Sequence, residues 1–399
     1  MNIWKDCVLS DLGTIVGGAT PSTKDSSNYE NGTIPWITPK DLSTYTERFI
    51  SRGERNITEK GLKSCSAQIM PKNSVLFTSR APIGYIAIAS NDVCTNQGFK
   101  SIVPNENTDY MFLYYLLKFN KDNIENLGSG TTFKEVSGNT MKNVKVRVPV
   151  DKTVQKKIAA LLSSLDDKIE LNNRINDNLE QQIETLLMKC ICDEDTTKVK
   201  LGDYLYIKGR IGWKGLKKEE YLQSSNFRII NGESLTKSGI DWNKAGYISE
   251  ERYTESPEIM LHVGDILLSK DGTIGKIGYV DTLELPTSVA SGIFVIRNNN
   301  PKAISTVFIY YLLRSKLFDS FIIARTEGSV IPHLYQKDFM EFEFSLPAKK
   351  KMIEFNGITL PMFEQIIMNL NENKKLSTIR DSLLPKLMSV EIDVDSVQI

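Results

Sequence analysis

Histidine is almost missing: the 399 residues hold two, His262 and His333. The five cysteines, Cys7, Cys65, Cys94, Cys190 and Cys192, form no CxxC pair. That excludes the usual spacings of structural zinc and dithiol sites, and the thiols read as ordinary reduced cysteines. No stretch approaches the roughly 20 uninterrupted apolar residues of a membrane span. The start, MNIWKDCVLSDLG, lacks the basic and apolar regions of a signal peptide, which places the chain in the cytoplasm. Net charge is absent as well, with 49 Lys and Arg against 49 Asp and Glu, so a nucleic-acid partner must be argued from local patches. Gly275-Lys276 resembles the end of a phosphate-binding loop but lacks the upstream Gly and the following Ser or Thr. The Asp/Asn-Pro-Pro-Tyr/Phe motif of adenine methyltransferases is missing, and no carboxylate spacing singles out an acid/base pair. Without the pattern of an active site, a chain of this size reads as a binding or scaffolding protein.

What the sequence does contain is repetition. Its length and its 41% hydrophobic residues suffice for two or three domains with proper cores. From Val150 to Leu201 there is no Pro or Gly, and apolar residues recur at Ile158, Leu162, Leu165, Ile169, Leu179, Ile183 and Leu186. Steps of three and four residues predict a coiled-coil helix, and residues 152 to 190 would make a rod of about 58 Å at 1.5 Å per residue. A helix of that length needs a partner helix. The segment 366 to 387 matches 169 to 190 at a constant offset of 197, pairing Asn172 with Asn369, Asn176 with Asn373, Leu179 with Leu376 and Leu186 with Leu383. Ile366 and Leu387 extend the second stripe. The recurring asparagines are either helix surface or register-setting contacts at the seam of an antiparallel pair. Gly357 and Pro361 predict a bend or a late start in the second helix.

The segments between the helices repeat more loosely. NSVLFTSRAPIGYIAIA (73 to 89) parallels GDILLSKDGTIGKIGYV (264 to 280), each a strand, a polar turn carrying Arg80 or Lys270, and a second strand. IPWITPKDL (34 to 42) parallels FRIINGESL (227 to 235), MFLYYLLK (111 to 118) parallels VFIYYLLR (307 to 314), and GSGTTFKEV (128 to 136) parallels EGSVIPHLY (327 to 335). The expected order is a globular unit 1–150, a helix 151–195, a globular unit 196–347 and a helix 348–392. The fold class is α+β: two similar domains joined by two long antiparallel coiled-coil helices with pseudo-two-fold symmetry. Neither histidine has a counterpart in the first half, so histidine catalysis or zinc binding common to both halves is excluded. His333 lies in a polar loop able to meet a ligand, while His262 reads as a half-buried strand end.

On these residues, the whole chain resembles the specificity subunit of Type I restriction-modification systems. The resemblance rests on IPWITPKDL, VLFTSRAPIG, TNQGFKSI (95 to 102) and, above all, the junction and helix VPVDKTVQKKIAALLSSLDDKIELNNRINDNLEQQIETLL (148 to 187). The second junction, LPAKKKMIEF (346 to 355), departs from the usual Glu-Gln start. The resemblance implies two target-recognition domains that each read one half of a bipartite, asymmetric DNA site through the major groove, with the helices setting the gap. Two readers on one face of a duplex would sit about one helical turn, roughly 34 to 36 Å, apart. It also implies two modification subunits that bind S-adenosylmethionine and methylate adenine N6, and ATP- and Mg-dependent restriction subunits. The specificity chain itself would carry no catalysis and bind no cofactor.

Direct readout uses Arg or Lys toward guanine, Asn or Gln toward adenine, and Ser or Thr as adaptable partners. In the recurring loops the candidates are Thr20, Ser22, Lys24, Thr38, Lys40, Arg80 and Lys134 in the first domain. In the second they are Arg210, Lys214, Lys217, Asn231, Lys270 and His333. Trp213 in GRIGWKG is either a DNA wedge or a loop anchor, and Asn96 and Gln97 read as turn-forming residues. Between Lys198 and Lys218 seven basic residues face one acid, Asp203, a run that is either a phosphate-binding stretch or a solvated face. Two other classes compete: a coiled-coil scaffold whose globular ends bind proteins, and, last, a self-contained methyltransferase.

Overall fold

The runs VLFTS and IGYIAIA are apolar at most positions and buried along most of their length, so they form strands covered on both faces. They lie in the first of two units into which the computed structural model divides, residues 1–172 with 371–399; the second is 173–370. The structure describes residues 3–397 apart from 131–133, 212–214, 237–238 and 327–332.

In the first unit, β1 (Gly13–Gly17), β2 (Phe49–Ile50), β3 (Val75–Ser79), β4 (Ile83–Ala89) and β5 (Lys100–Pro104) form one sheet in the order β1-β5-β3-β4-β2. A smaller sheet sets Ile34–Ile37 between Arg55–Ile57 and Cys94–Thr95. Helix α1 (Tyr110–Phe119) is capped by the Asp109 carboxylate, which accepts from the Met111 and Phe112 amides. It buries Phe112, Leu113 and Leu117 in the core that also holds Ile158 and Leu162. Trp4–Val8 pairs antiparallel with Lys145–Pro149, and Lys152 opens helix α2 (Lys152–Ile191).

The second unit repeats this plan. Its sheet runs β6-β9-β7-β8, with β6 at Leu205–Gly209, β7 at Ile266–Ser269, β8 at Ile277–Tyr279 and β9 at Ile293–Asn298. The smaller sheet sets Phe227–Ile230 between Gly246–Ile248 and Thr287–Val289, and α3 (Thr306–Leu313) occupies the place of α1. Thr196–Lys200 pairs with Glu343–Pro347 just before helix α4 (Lys349–Met388). Strands and helices are thus mixed without a βαβ series, an α+β arrangement in each unit.

Both long helices contribute to both units, and in each unit they run antiparallel across a polar contact. In the first, the buried Asn172 donates from Nδ2 to Asn373 Oδ1 at 2.9 Å and to Glu372 at 2.7 Å. In the second, the buried Asn369 donates to Asn176 Oδ1 at 2.8 Å. With the offset of 197, the two contacts are copies of one another with the helices exchanged. The asparagines therefore sit at the seam, where an amide facing an apolar side chain would lose its bonds. Along the two helices Ile158, Leu162, Ile183, Ile366 and Leu387 are buried, while Leu165, Ile169, Leu179, Leu186, Leu376 and Leu383 are half-buried.

The late start of the second helix does not occur: α4 begins at Lys349 and is continuous through Gly357 and Pro361. Both residues lie on the exposed face, and the carbonyl that Pro361 leaves without a donor is that of Gly357, open to solvent. Opposite them, Met352, Phe355, Phe363 and Ile366 are buried in the core and hold the helix in place.

Elsewhere the two seams differ in chemistry. In the first unit Asp166, 5% exposed, accepts from Arg380 and, at 2.6 Å, from the Tyr115 hydroxyl. Burial and then the Asp166 charge push the Tyr115 pKa up, so its phenol stays a donor. Arg48, 4% exposed, binds the same helix through Asp167 and, at 2.8 Å, Glu170. In the second unit the offset puts Phe363 at the place of Asp166 and Ile183 at that of Arg380. Tyr311, the counterpart of Tyr115, packs its ring against Phe363 at 6.1 Å, and its hydroxyl is buried without a partner among the described residues.

Two expectations follow from that difference. Tyr115→Phe should lower the unfolding free energy by about 2 kcal/mol, as expected for a bond to a charged group, whereas Tyr311→Phe should leave it unchanged or raise it. Arg380→Leu, which strands a buried carboxylate, should cost about 3–5 kcal/mol. The double variant Asp166→Phe, Arg380→Ile should recover most of that loss. Urea unfolding followed by circular dichroism reads all four.

Candidate nucleic-acid interface

The sequence makes the same loop crossing twice. After β3 the chain turns back into β4, and after β7 into β8. Each crossing uses a glycine of positive φ, Gly84 at +92° at the start of β4 and Gly275 at +90° just before β8, a conformation that a side chain at either place would strain. In the first domain the Ser79 amide donates to Gly98 O at 2.7 Å, and the Val136 amide donates to Ser79 O at 3.0 Å. Thr78 Oγ1 donates to Pro82 O and accepts from the Tyr85 amide, both at 2.8 Å. In the second domain the Lys270 amide donates to Gly292 O at 2.8 Å, and the Leu334 amide donates to Lys270 O at 3.0 Å. Ser269 Oγ donates to Thr273 O at 2.7 Å and accepts from the Lys276 amide at 2.8 Å. Four bonds of one loop recur in the other.

The bonds keep the offset of 191 between residues 73–89 and 264–280, which sets Lys270 opposite Ser79, and move the pairing of 128–136 with 327–335 by one place. Arg80 corresponds to Asp271, and Glu135, preceding Val136, corresponds to His333, preceding Leu334. Arg80 Nη1 lies 3.4 Å from Glu135 Oε2, and Lys100 Nζ lies 3.7 Å from Glu135 Oε1. His333 Nδ1 bonds Asp271 Oδ1, and the Tyr335 ring lies edge-on to the imidazole at 4.5 Å. Lys134, next to Glu135 in sequence, is exposed, the stem of Lys121 covers Gly84, and Arg80 and Lys100 share the Glu135 carboxylate.

Several candidates have structural duties. Thr38 and Asn231 occupy the same place, after the central strand of the small sheet. Thr38 caps a helical turn, its amide and hydroxyl donating to Asp41 Oδ2 at 2.7 and 2.6 Å. Asn231 Oδ1 accepts from the Glu233 and Ser234 amides at 2.9 and 3.0 Å. A polar side chain there stops the strand, which engages the Thr38 hydroxyl and the Asn231 carbonyl oxygen. Arg210 is 2% exposed and donates to Val289 O at 3.1 Å and Ser288 Oγ at 3.3 Å, tying two sheets together. Burial, and secondarily Arg252, lowers its pKa, consistent with an interior guanidinium. Lys270 is half-buried with its ammonium 4.9 Å from the Phe294 ring centre, and burial lowers its pKa. Its position suits packing more than phosphate contact.

Other candidates remain on the surface. Thr20 bonds the Gln97 side chain, Ser22 and Lys24 are exposed, and Lys40 pairs with Glu54 at 2.8 Å beside the Trp36 and Arg55 cleft. Lys217 is exposed, whereas Trp213 and Lys214 lie outside the described residues. The basic run from Lys198 to Lys218 is divided among elements: Lys200 pairs with Glu341 at 2.5 Å on the end ladder, Lys208 is on β6, and Arg210 is internal. Asn96 holds the turn it was expected to hold, Oδ1 accepting from the Gly98 amide at 2.8 Å. Asp271 and Glu135 were missed, although counting back from Gly84 and Gly275 would have set Asp271 against Arg80. Among the described residues no group of His, Cys, Asp or Glu is placed to hold a metal ion, and no helix is long and apolar enough to cross a membrane.

Known proteins share this architecture. The model of the Type I restriction modification DNA specificity domain matches residues 1–181 and again 193–378. The MjaIX specificity subunit of Methanocaldococcus jannaschii, a Type I restriction enzyme component, is 34% identical over 99% of this chain and 94% of its own length. The EcoR124I/EcoR124II specificity subunit of Escherichia coli is 28% identical over 45% of this chain and 44% of its own. In fold, the chain is similar to the crystal structure of the Type I restriction-modification S subunit from M. genitalium, with a TM-score of 0.60 at 19% identity, covering 97% of this chain and 96% of that one. With two copies of the domain matched over most of its length, the chain belongs to the Type I restriction-modification DNA specificity family, as a two-domain specificity subunit.

Proposed function

We propose that this chain reads a split, asymmetric DNA site, one half with each domain, and presents that site to modification subunits docked on its long helices. The observation that carries this reading is the loop crossing built twice on the same main-chain bonds with different side chains on it. A duplicated frame gives two readers of one shape, and altered side chains give them different base preferences. The exposed apolar residues of the long helices, Leu171 and Ile379 in the first unit and Ile175 and Met368 in the second, support docking of protein partners. In this reading, adenine methylation with S-adenosylmethionine and ATP- and Mg-dependent cleavage are left to two modification subunits and to restriction subunits. The chain contributes sequence choice and spacing.

The test is to assemble the chain with its modification partners and map the methylated adenines by single-molecule sequencing. A split motif is expected, and replacing residues 1–150 by those of another family member should change one half of it alone. A continuous motif, or a change in both halves, overturns the two-reader model. Binding to duplex should also weaken steeply as salt rises from about 50 to 200 mM, because phosphate contacts release counterions. A flat salt response would favour a protein-binding scaffold.

A further inference from the structure

The crossing loops place a hydrogen-bonded polar pair at the same point of both domains, with the carboxylate on the opposite member. In the first domain the residue after the β3 edge is the cation Arg80 and its partner on the crossing loop is the anion Glu135. In the second, the residue after β7 is the anion Asp271 and its partner is His333. The main-chain frame beneath is the same, down to the amides of Val136 and Leu334 that follow the partners. Their side chains are between 33% and 43% exposed, where such a surface contact adds little to stability. The fold therefore has no need of either polarity.

Resting on the DNA-reading function proposed above, we infer that this pair is the base-selecting position of each domain, with Arg80 choosing guanine in one half-site and Asp271 choosing cytosine in the other. The chemistry of the groove edges fits the inversion. A guanidinium offers several donors, and with one nitrogen beside Glu135 the rest of the fork can meet guanine O6 and N7, both acceptors. A carboxylate only accepts, which suits the N4 amino group of cytosine. Among the described residues, Asp271 uses Oδ1 for His333, leaving Oδ2 to accept from a base. Glu135 and His333 are positioning residues. Glu135 is itself steadied by Lys100, and His333 by the Tyr335 ring.

The full-length chain is incubated at low salt with a randomised duplex library, and the bound fraction is sequenced for the wild type, Arg80→Gln, Asp271→Asn and His333→Gln. Arg80→Gln is expected to lose about ten- to a hundredfold of the preference at one base pair of one half-motif and to leave the other half-motif intact. Asp271→Asn should do the same at one pair of the opposite half-motif, and His333→Gln should weaken the preference at that pair and at no other. The untouched half-motif shows in each case that the variant is folded and bound. If the variants enrich the wild-type motif at every position, the inference fails while the two-reader function stands. If the wild type enriches no split motif, both fail.

Discussion

Everything else in this chain depends on the antiparallel pairing of its two long helices. Each unit contains one stretch of both, so neither globular segment has a complete core of its own: Leu384 and Leu387 fill the first, and Phe355 and Phe363 the second. The amide contacts of Asn172 with Asn373 and of Asn369 with Asn176 fix the register. A slip by one heptad would set Asn369 against Ile183, and the loss of its bonds would cost on the order of 1–3 kcal/mol. A purely apolar stripe would tolerate such a slip more easily.

On that base the domains separate two tasks that often compete in one surface. Main-chain hydrogen bonds, together with one hydroxyl, Thr78 or Ser269, hold the crossing loops. Side chains at the crossing can then differ, even in charge, without altering the frame. Arg48 illustrates the opposite strategy, a buried cation anchored to Asp167 and Glu170 on the helix. Its bonds position the first domain, and removing it would leave two carboxylates without their counterion.

The repeat, the long helices and the strand-turn-strand units were legible because each follows a period of hydrophobicity, and periodicity is set by local geometry. The continuity of α4 was not. Pro361 breaks a helix where its missing bond would be buried, and only tertiary structure shows that it faces outward. Candidate readers were legible by residue type but not by duty. Arg210 looks like any loop arginine until Ser288 and Val289 are seen beside it. Thr38 and Asn231 carried a usable signal, since each precedes a short polar segment after an apolar strand, the setting in which such residues cap turns. The pairings of Arg80 with Glu135 and of Asp271 with His333 join residues 55 and 62 positions apart, a distance no local pattern reports.

The replacement of Asp166 and Arg380 by Phe363 and Ile183 also makes the ancestry of the chain hard to reverse. When two identical copies first joined, either helix could serve either place. Now a protein rebuilt from two first halves would set Asp166 against Ile183, and one rebuilt from two second halves would set Phe363 against Arg380. Divergence in the seam has acted as a ratchet: each half has become the only good complement of the other. The order in which the two readers are joined is thereby inherited along with them.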